Sequence, residues 1–218
     1  TFVPPTLIEL ASFDELKKEV FGPVLHVVRY NRNNLNELID QINASGYGLT
    51  LGVHTRIDET IAQVTGNAKV GNLYVNRNMV GAVVGVQPFG GEGLSGTGPK
   101  AGGPLYLYRL LANRPENALG VTLARQDADY PVDAQVKAVL TQPLDALIKW
   151  AENRPELRAI AQQYGELAQA GTQRLLPGPT GERNTWTLMP RERVLCMADD
   201  EQDALVQLAA ATATGCEV

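Results

Sequence analysis

The sequence has few cysteines, few aromatic residues and no long apolar run. Cys196 and Cys216 are the only cysteines among 218 residues, and they form neither a disulfide framework nor a metal-ligand spacing. This usage is typical of a reducing compartment, so we expect a cytoplasmic protein without a metal site. No apolar stretch approaches the roughly 20 residues that span a bilayer. The N-terminus has no basic head or cleavage site and is not expected to be a signal peptide.

The sequence also lacks an excess of basic residues. Nineteen Lys and Arg stand against 24 Asp and Glu, which gives a net charge of −5, and the basic residues are scattered among acids. Binding a polyanion requires clustered Lys and Arg that displace counterions. We therefore expect no nucleic-acid or membrane contact from this segment.

An initiator methionine is absent, and the chain opens directly in the strand-like sequence FVPPTLIEL. At the other end, residues 215–218 stop where another strand is expected to begin. We expect the chain to be a piece of a longer protein.

The first half alternates strands and helices. Residues 24–30, 49–54 and 71–76 are apolar and β-branched, which is typical of buried strands. Apolar residues recur at helical spacing after a possible cap at Asn33 or Asn34, and again after Asp58. This order predicts an α/β layer with a parallel sheet.

The character of the chain changes between residues 113 and 131. We interpret residues 1–112 as one domain, 113–131 as a linker and 132–218 as a partial second α/β domain. In the second domain the pattern predicts a helix bent or broken near Pro143 and a second helix. It then predicts strands at TWTLM and RVLCM and a last helix from about Asp203.

The stretch from Gly91 to Gly96 fits G-x-G-x-x-G but lacks the context of a dinucleotide-binding loop. Such a loop needs a preceding strand and a following helix, whose N-terminus holds the pyrophosphate. Pro88 interrupts the approach, and TGPKAGGP cannot form a helix. The dinucleotide interpretation is rejected.

Two interpretations of this glycine-rich region remain open from the residues themselves. Gly81 and Ala82 offer main-chain N–H groups with little side chain in the way, which suits a carboxylate, and Phe89 can contact an aliphatic chain. Alternatively, the glycines only turn the corners of a surface loop.

Four motifs carry a resemblance to a known family: KEVFGPV, SGYGLTLGVHT, GNLYVNR and QPFGGEGLSGTG. In this order and spacing they resemble the C-terminal part of the catalytic domain of the aldehyde dehydrogenase superfamily. The loop NRNMVGAVVGVQPFGG is similar to the L-glutamate γ-semialdehyde (1-pyrroline-5-carboxylate) dehydrogenases. The region after residue 113 resembles the extra C-terminal domain of bacterial bifunctional enzymes that join proline dehydrogenase to this activity. The implied fold is α/β, the C-terminal part of an aldehyde dehydrogenase catalytic domain followed by a partial Rossmann-like domain.

The resemblance implies roles for five residues. Glu19 matches the acid that holds the nicotinamide ribose hydroxyls of NAD, and Phe21 matches the aromatic near that ribose. Gly81 and Ala82 match the pair whose amides bind the substrate carboxylate, and Phe89 matches the aromatic against its methylene chain. Relatives often have Ser where this chain has Ala82, so a hydroxyl donor is missing and weaker carboxylate binding is expected.

The implied activity is NAD-dependent oxidation of L-glutamate γ-semialdehyde to glutamate in proline catabolism. By the resemblance, the cysteine nucleophile and the general base precede Glu19, so the segment contains no catalytic residue and is expected to be inactive alone. The FAD-dependent proline dehydrogenase domain is also absent. The implied partners are the semialdehyde, the rest of the parent chain and further copies in a homo-oligomer.

Two alternatives remain. The parent could oxidise another aldehyde, although a loop suited to a carboxylate disfavours neutral ones. The segment could instead be a non-catalytic structural or oligomerisation module. For residues 132–218 an architectural role is the main interpretation, because the matching domain covers a buried passage between two active sites.

Overall fold

The protein is described by a computed structural model covering residues 2–113, 115 and 134–218. The chain divides into two compact units, Thr1–Arg114 and Pro115–Val218. The predicted linker, residues 113–131, lies almost wholly outside the described residues.

The first unit contains the predicted alternation of strands and helices. Its three predicted strands and two predicted helices are confirmed, each within a few residues of the predicted ends, and the strand-like N-terminal sequence also forms a strand. The elements are β1 (Thr6–Leu10), β2 (Val24–Val28), α1 (Leu35–Ala44), β3 (Tyr47–Gly48), β4 (Thr50–Val53), α2 (Asp58–Asn67), β5 (Asn72–Val75) and β6 (Glu92–Gly93).

Strand pairing differs from a single sheet formed in chain order. Strand β4 pairs in parallel with β5, as predicted, but β2 pairs in parallel with β1, with Thr6 opposite Val24. Strands β3 and β6 form a short antiparallel pair. Among the described residues β2 and β4 belong to separate sheets. The N-terminal residues thus supply a parallel partner for β2.

The core of the first unit lies between the two helices and the β4–β5 pair. Leu35 and Ile39 of α1 and Val64 of α2 are buried, and they pack against Leu51 and Leu73 of the two strands. Residues at i and i+4 share one face of a helix, which explains why α1 buries this pair.

The predicted side-chain cap of α1 is wrong. Asn34 precedes the helix but makes no capping hydrogen bond with its side chain. The side chain that does cap is that of Asn31. Its Oδ1 accepts from the Asn33 amide at 2.9 Å and caps the 3₁₀ turn at residues 32–34. That turn places Asn34 in a conformation from which its side chain does not cap.

The second unit packs three helices beside a hairpin. Its elements are α3 (Ala134–Trp150), α4 (Pro155–Leu167), β7 (Gln173–Leu176), β8 (Asn184–Thr187) and α5 (Glu201–Ala213). Its buried core comes from all three helices and comprises Leu144, Leu147, Ala151, Leu157, Ala161, Ala209 and Ala213. None of the helices that the structure describes is long and apolar enough to cross a membrane.

Two predictions for the second unit need correction. Helix α3 continues through Pro143, so the predicted break is wrong, whereas the alternative of a bend stays a prediction. Leu144 and Leu147, which follow the proline, are buried in the core and stabilise the helix there. The RVLCM stretch forms no strand; its only pairing within the described residues is a parallel bridge between Arg193 and Glu217. The bridge joins Glu217, which follows α5 in the sequence, to Arg193, which precedes that helix.

Candidate functional site

The glycine-rich segment after β5 is fixed to the start of that strand by one side chain. Asn72 is buried, with 8% of its surface exposed. Its Nδ2 donates to the carbonyl oxygen of Pro88 at 2.9 Å, and its Oδ1 accepts from the amide of Gly90 at 3.2 Å. Phe89 therefore lies between two main-chain groups held by the same amide.

The opposite edge of Phe89 is held by main-chain hydrogen bonds. Its amide donates to the carbonyl oxygen of Ala101 at 3.0 Å, and the Ala101 amide donates back at 2.9 Å. Next to Ala101, the ammonium of Lys100 donates to the carbonyl oxygen of Gly71. Phe89 is thus fixed from both sides, which restricts where its ring can lie.

Lys100 is a partly buried cation at this junction. Burial lowers the pKa of its ammonium below the ordinary lysine value, and the negative charge of Glu92 opposes that shift. Since both protonation states of the amine can donate, the contact with Gly71 does not depend on the charge.

The glycines of this segment allow one main chain to lie directly on another. A β-carbon on Gly71 would overlap the carbonyl group of Gly90, and one on Gly96 would lie 2.7 Å from the carbonyl oxygen of Gly91. Two hydrogen bonds add to this packing: the Gly48 amide donates to Ser95 Oγ at 3.0 Å, and the Leu94 amide donates to the Gly46 carbonyl oxygen at 2.8 Å.

No helix follows Gly96 in residues 97–106, so the structure agrees with the rejection of the dinucleotide loop. The glycines at 71, 91 and 96 serve close packing within the unit, a purpose that the sequence did not reveal.

The anchor loop, which we define as residues 79–90, contains a closed turn. The carbonyl oxygen of Val83 accepts from the amides of Val86 and Gln87 at 3.1 and 2.9 Å. The Gln87 side chain closes the ring, because its Oε1 accepts from the Val83 amide at 3.0 Å. This turn joins the fixed residue Phe89 to the residues just before Val83.

Gly81 and Ala82 lie immediately before this turn, in irregular backbone. In the described part of the chain, neither of their amides donates a hydrogen bond. A β-carbon added to Gly81 would meet no atom within 4 Å. Nearby, 92% of the surface of Val80 and 98% of that of Val84 are exposed. Two consecutive donors therefore stand without an acceptor in an open, largely apolar part of the loop.

Glu19 and Phe21 lie between the 3₁₀ turn at residues 13–15 and β2. Both are exposed, Phe21 by 86% of its surface. Among the residues described, Glu19 takes part in no ion pair or hydrogen bond. A carboxylate can accept hydrogen bonds from two neighbouring hydroxyl groups, and here it lies two residues from an exposed aromatic ring.

The predicted site residues lie in two segments of the first unit. Gly81, Ala82 and Phe89 belong to the anchor loop, and Glu19 and Phe21 precede β2. No described contact joins Phe89 to Gly81 or Ala82, or Glu19 or Phe21 to the loop. Sequence reasoning missed Asn72 and Lys100, which hold the loop. An asparagine opening an otherwise apolar strand, in GNLYV, is the signal that could have indicated the first of these.

Comparison with known proteins finds a family model and similar relatives. A family model described as "Aldehyde dehydrogenase family" covers residues 1–112. The "Bifunctional protein PutA" of Escherichia coli (strain K12) is 86% identical over 218 residues, which is the whole of this chain but only 16% of that protein. The "1-pyrroline-5-carboxylate dehydrogenase 1" of Halalkalibacterium halodurans is 44% identical over 110 residues, 49% of this chain and 21% of that protein.

Among solved structures, Proline Utilization A (PutA) from Corynebacterium freiburgense matches with a TM-score of 0.62 and 29% identity. The match covers 92% of this chain and 19% of that chain. This likeness extends through both units and supports an α/β fold throughout. The chain spans less than a fifth of the length of these bifunctional relatives.

Proposed function

The chain belongs to the aldehyde dehydrogenase family, and on that premise we propose that it forms part of a longer NAD-dependent L-glutamate γ-semialdehyde dehydrogenase. This enzyme oxidises the semialdehyde to glutamate in the breakdown of proline. The proposal is supported by the names of the relatives, which include a bifunctional protein PutA and a 1-pyrroline-5-carboxylate dehydrogenase.

One observation carries the choice of substrate: the consecutive amides of Gly81 and Ala82 have no acceptor in the described chain, and the same loop holds the main chain of an aromatic residue, Phe89, in place. Adjacent N–H groups suit a carboxylate, and the Phe89 ring suits the methylene groups that join it to the aldehyde. A neutral aldehyde would leave both donors unused.

Glu19 and Phe21 are proposed to hold the nicotinamide ribose of NAD. When bound, NAD accepts the hydride that leaves the substrate. The task of this chain is to place the ribose: its hydroxyl groups donate hydrogen bonds to the Glu19 carboxylate, and Phe21 covers it. FAD is assigned to the proline dehydrogenase part of the longer enzyme, outside this chain.

The nucleophile is also proposed to lie outside this chain, so the segment alone is inactive. Cys216 is buried, with its sulfur 3.3 Å from the Thr214 hydroxyl, which suits a packed side chain rather than one that meets a substrate. Cys196 lies in irregular chain in the second unit. The two free thiols are in keeping with a cytoplasmic location, which we include in the proposal.

A substrate panel on the purified full-length enzyme tests this function. With NAD present, kcat/KM for L-glutamate γ-semialdehyde should exceed that for a neutral aldehyde of equal chain length by roughly a hundredfold. Two hydrogen bonds to a charged group are together worth about that factor. Equal values for the two aldehydes would contradict the proposal.

Residues 132–218 are proposed to serve as a lid or assembly contact in a homo-oligomeric enzyme. The likeness of the second unit to a solved PutA structure supports a role within such an enzyme. Deleting these residues from the full-length enzyme should lower semialdehyde oxidation or change the oligomeric state in analytical ultracentrifugation. Full activity and an unchanged sedimentation coefficient would count against it.

A further inference from the structure

Two asparagines in the first unit bind the main chain in the same pattern. Asn43 Nδ2 donates to the carbonyl oxygen of Asn67 at 2.8 Å, and its Oδ1 accepts from the Lys69 amide at 2.8 Å. Asn72 makes the same pair of bonds to Pro88 and Gly90. In both cases one amide bridges residues i and i+2, which fixes the residue between them.

The two sites differ in burial and in what they hold. Asn43 is a half-buried residue of α1 that bonds the exposed residues Asn67, at the end of α2, and Lys69, before β5, whereas Asn72 is buried and holds the anchor loop at Phe89. Loss of the Asn72 amide would leave the Pro88 carbonyl and the Gly90 N–H without their partner, and a buried polar group without a partner is costly. The loop would relax to satisfy them.

A change in the main chain at residues 88–90 would also displace the amides of Gly81 and Ala82, because the closed turn connects the two parts of the loop. Gln87 is bonded to Val83 by both its main chain and its side chain, so residues 83–87 move as one piece. Gly81 and Ala82 precede this piece directly. A shift at Phe89 therefore moves the aromatic ring and tilts the two amides together.

We propose that Asn72 is a positioning residue that sets the preference of the enzyme for aldehydes with a carboxylate. This inference rests on the proposed function, because it assigns to Asn72 the alignment of the Phe89 ring with the amides of Gly81 and Ala82. Asn72 touches neither substrate nor cofactor. Its effect appears in binding of the carboxylated aldehyde, since preorganised donors bind without a further ordering cost.

The experiment compares Asn72→Ala, Asn72→Asp and Asn43→Ala in the full-length enzyme. For Asn72→Ala, KM for L-glutamate γ-semialdehyde should rise roughly tenfold, while KM for NAD and kcat/KM for a neutral aldehyde of equal length change less than about twofold. Asn72→Asp keeps the volume and the acceptor for Gly90 but loses the donor to Pro88, so the same selective loss is expected.

Asn43→Ala is the matched control. It removes the same pair of hydrogen bonds and should lower the thermal unfolding midpoint, yet leave the ratio of kcat/KM between the two aldehydes as in the wild type. The comparison of Asn43→Ala with Asn72→Ala therefore distinguishes the general effect of losing two hydrogen bonds to the main chain from the specific effect of misaligning the anchor loop.

An unchanged aldehyde ratio in folded Asn72→Ala would overturn the inference and leave the proposed function standing. An equal fall for both aldehydes, or failure of both Asn72 variants to fold, would assign Asn72 a structural role and also overturn it. A wild-type enzyme without a preference for the semialdehyde would instead overturn the proposed function, and this inference with it.

Discussion

Gly71 and Gly90 approach so closely that a β-carbon on the first would overlap the carbonyl group of the second. Gly71 immediately precedes β5, and Gly90 ends the anchor loop. The contact joins main chain to main chain, so no side chain can rotate away to make room. The shape of the loop therefore depends on a glycine that lies outside it.

Gly71→Ala is expected to lower the free energy of unfolding by about 1–3 kcal/mol, the usual cost of overpacking a well-filled site. Gly66→Ala is the matched control: Gly66 lies in α2 with no atom within 4 Å of an added β-carbon, so alanine should stabilise by up to about 1 kcal/mol. Urea unfolding of the full-length enzyme measures both. Equal free energies of unfolding for Gly71→Ala and the wild type would show that the main chain at Gly90 moves away from the added β-carbon at little cost.

Lys100 should titrate below exposed lysines, because burial disfavours its charged form. In the window between its lowered pKa and the ordinary value, the folded state binds fewer protons than the unfolded chain. Stability is therefore expected to rise with pH through that window. NMR of ¹³C-methylated lysines measures the pKa, and Lys100→Arg identifies the signal.

Glu92→Gln sharpens this test. Since the Glu92 charge raises the pKa of Lys100, its removal should lower that pKa further. Glu59→Gln, at an exposed position in the first turn of α2, is the control and should not move the signal. A rise of the pKa in Glu92→Gln would show that the two groups do not interact as described.

Glu19→Gln should raise KM for NAD roughly tenfold, because a neutral amide forms weaker hydrogen bonds to ribose hydroxyls than a carboxylate does. KM for the semialdehyde should stay near its original value. Glu37→Gln, in the first turn of α1, removes a comparable exposed charge and should leave both constants unchanged. Steady-state kinetics at varied NAD concentration measures KM for NAD in both variants. An unchanged KM for NAD in Glu19→Gln would reject the role assigned to Glu19.

Ala82→Ser should lower KM for the semialdehyde several-fold, since it adds a hydroxyl donor next to the amides that are proposed to bind the carboxylate. KM for a neutral aldehyde should not change. Val84→Ser adds the same hydroxyl at a residue whose surface is 98% exposed, and no gain is expected there. Equal gains in the two variants would mean that the hydroxyl acts without contacting the carboxylate.

The longer strands and the two helices of the first unit could be predicted because their apolar residues repeat at the spacing of a strand or a helix. The two-residue strands β3 and β6 could not, because they are too short to show a repeat. The role of Asn72 could not, because its bonds reach 16 and 18 residues along the chain and one polar residue creates no periodicity. The glycine motif was separated from a dinucleotide loop by the prolines around it, but its close packing depends on tertiary contacts.

In the second unit, the pattern of apolar residues did not predict every element, because tertiary packing determines whether a short apolar stretch becomes a strand. The apolar RVLCM stretch was predicted to be a strand, yet 81% of the surface of Leu195 and 77% of that of Met197 are exposed. Conversely, β7 was missed, because QRLL carries an arginine within the strand. The proline in α3 costs about 3 kcal/mol in a helix interior, which burial of Leu144 and Leu147 can offset at about 1.5–3 kcal/mol each.

The most direct test of the account is a crystal structure of the full-length enzyme with the product L-glutamate bound. The account predicts that the α-carboxylate accepts from the amides of Gly81 and Ala82 at about 2.7–3.2 Å, with the Phe89 ring against the methylene groups. A glutamate whose α-carboxylate is bound by side chains elsewhere, with these two amides facing solvent or other protein, would contradict it.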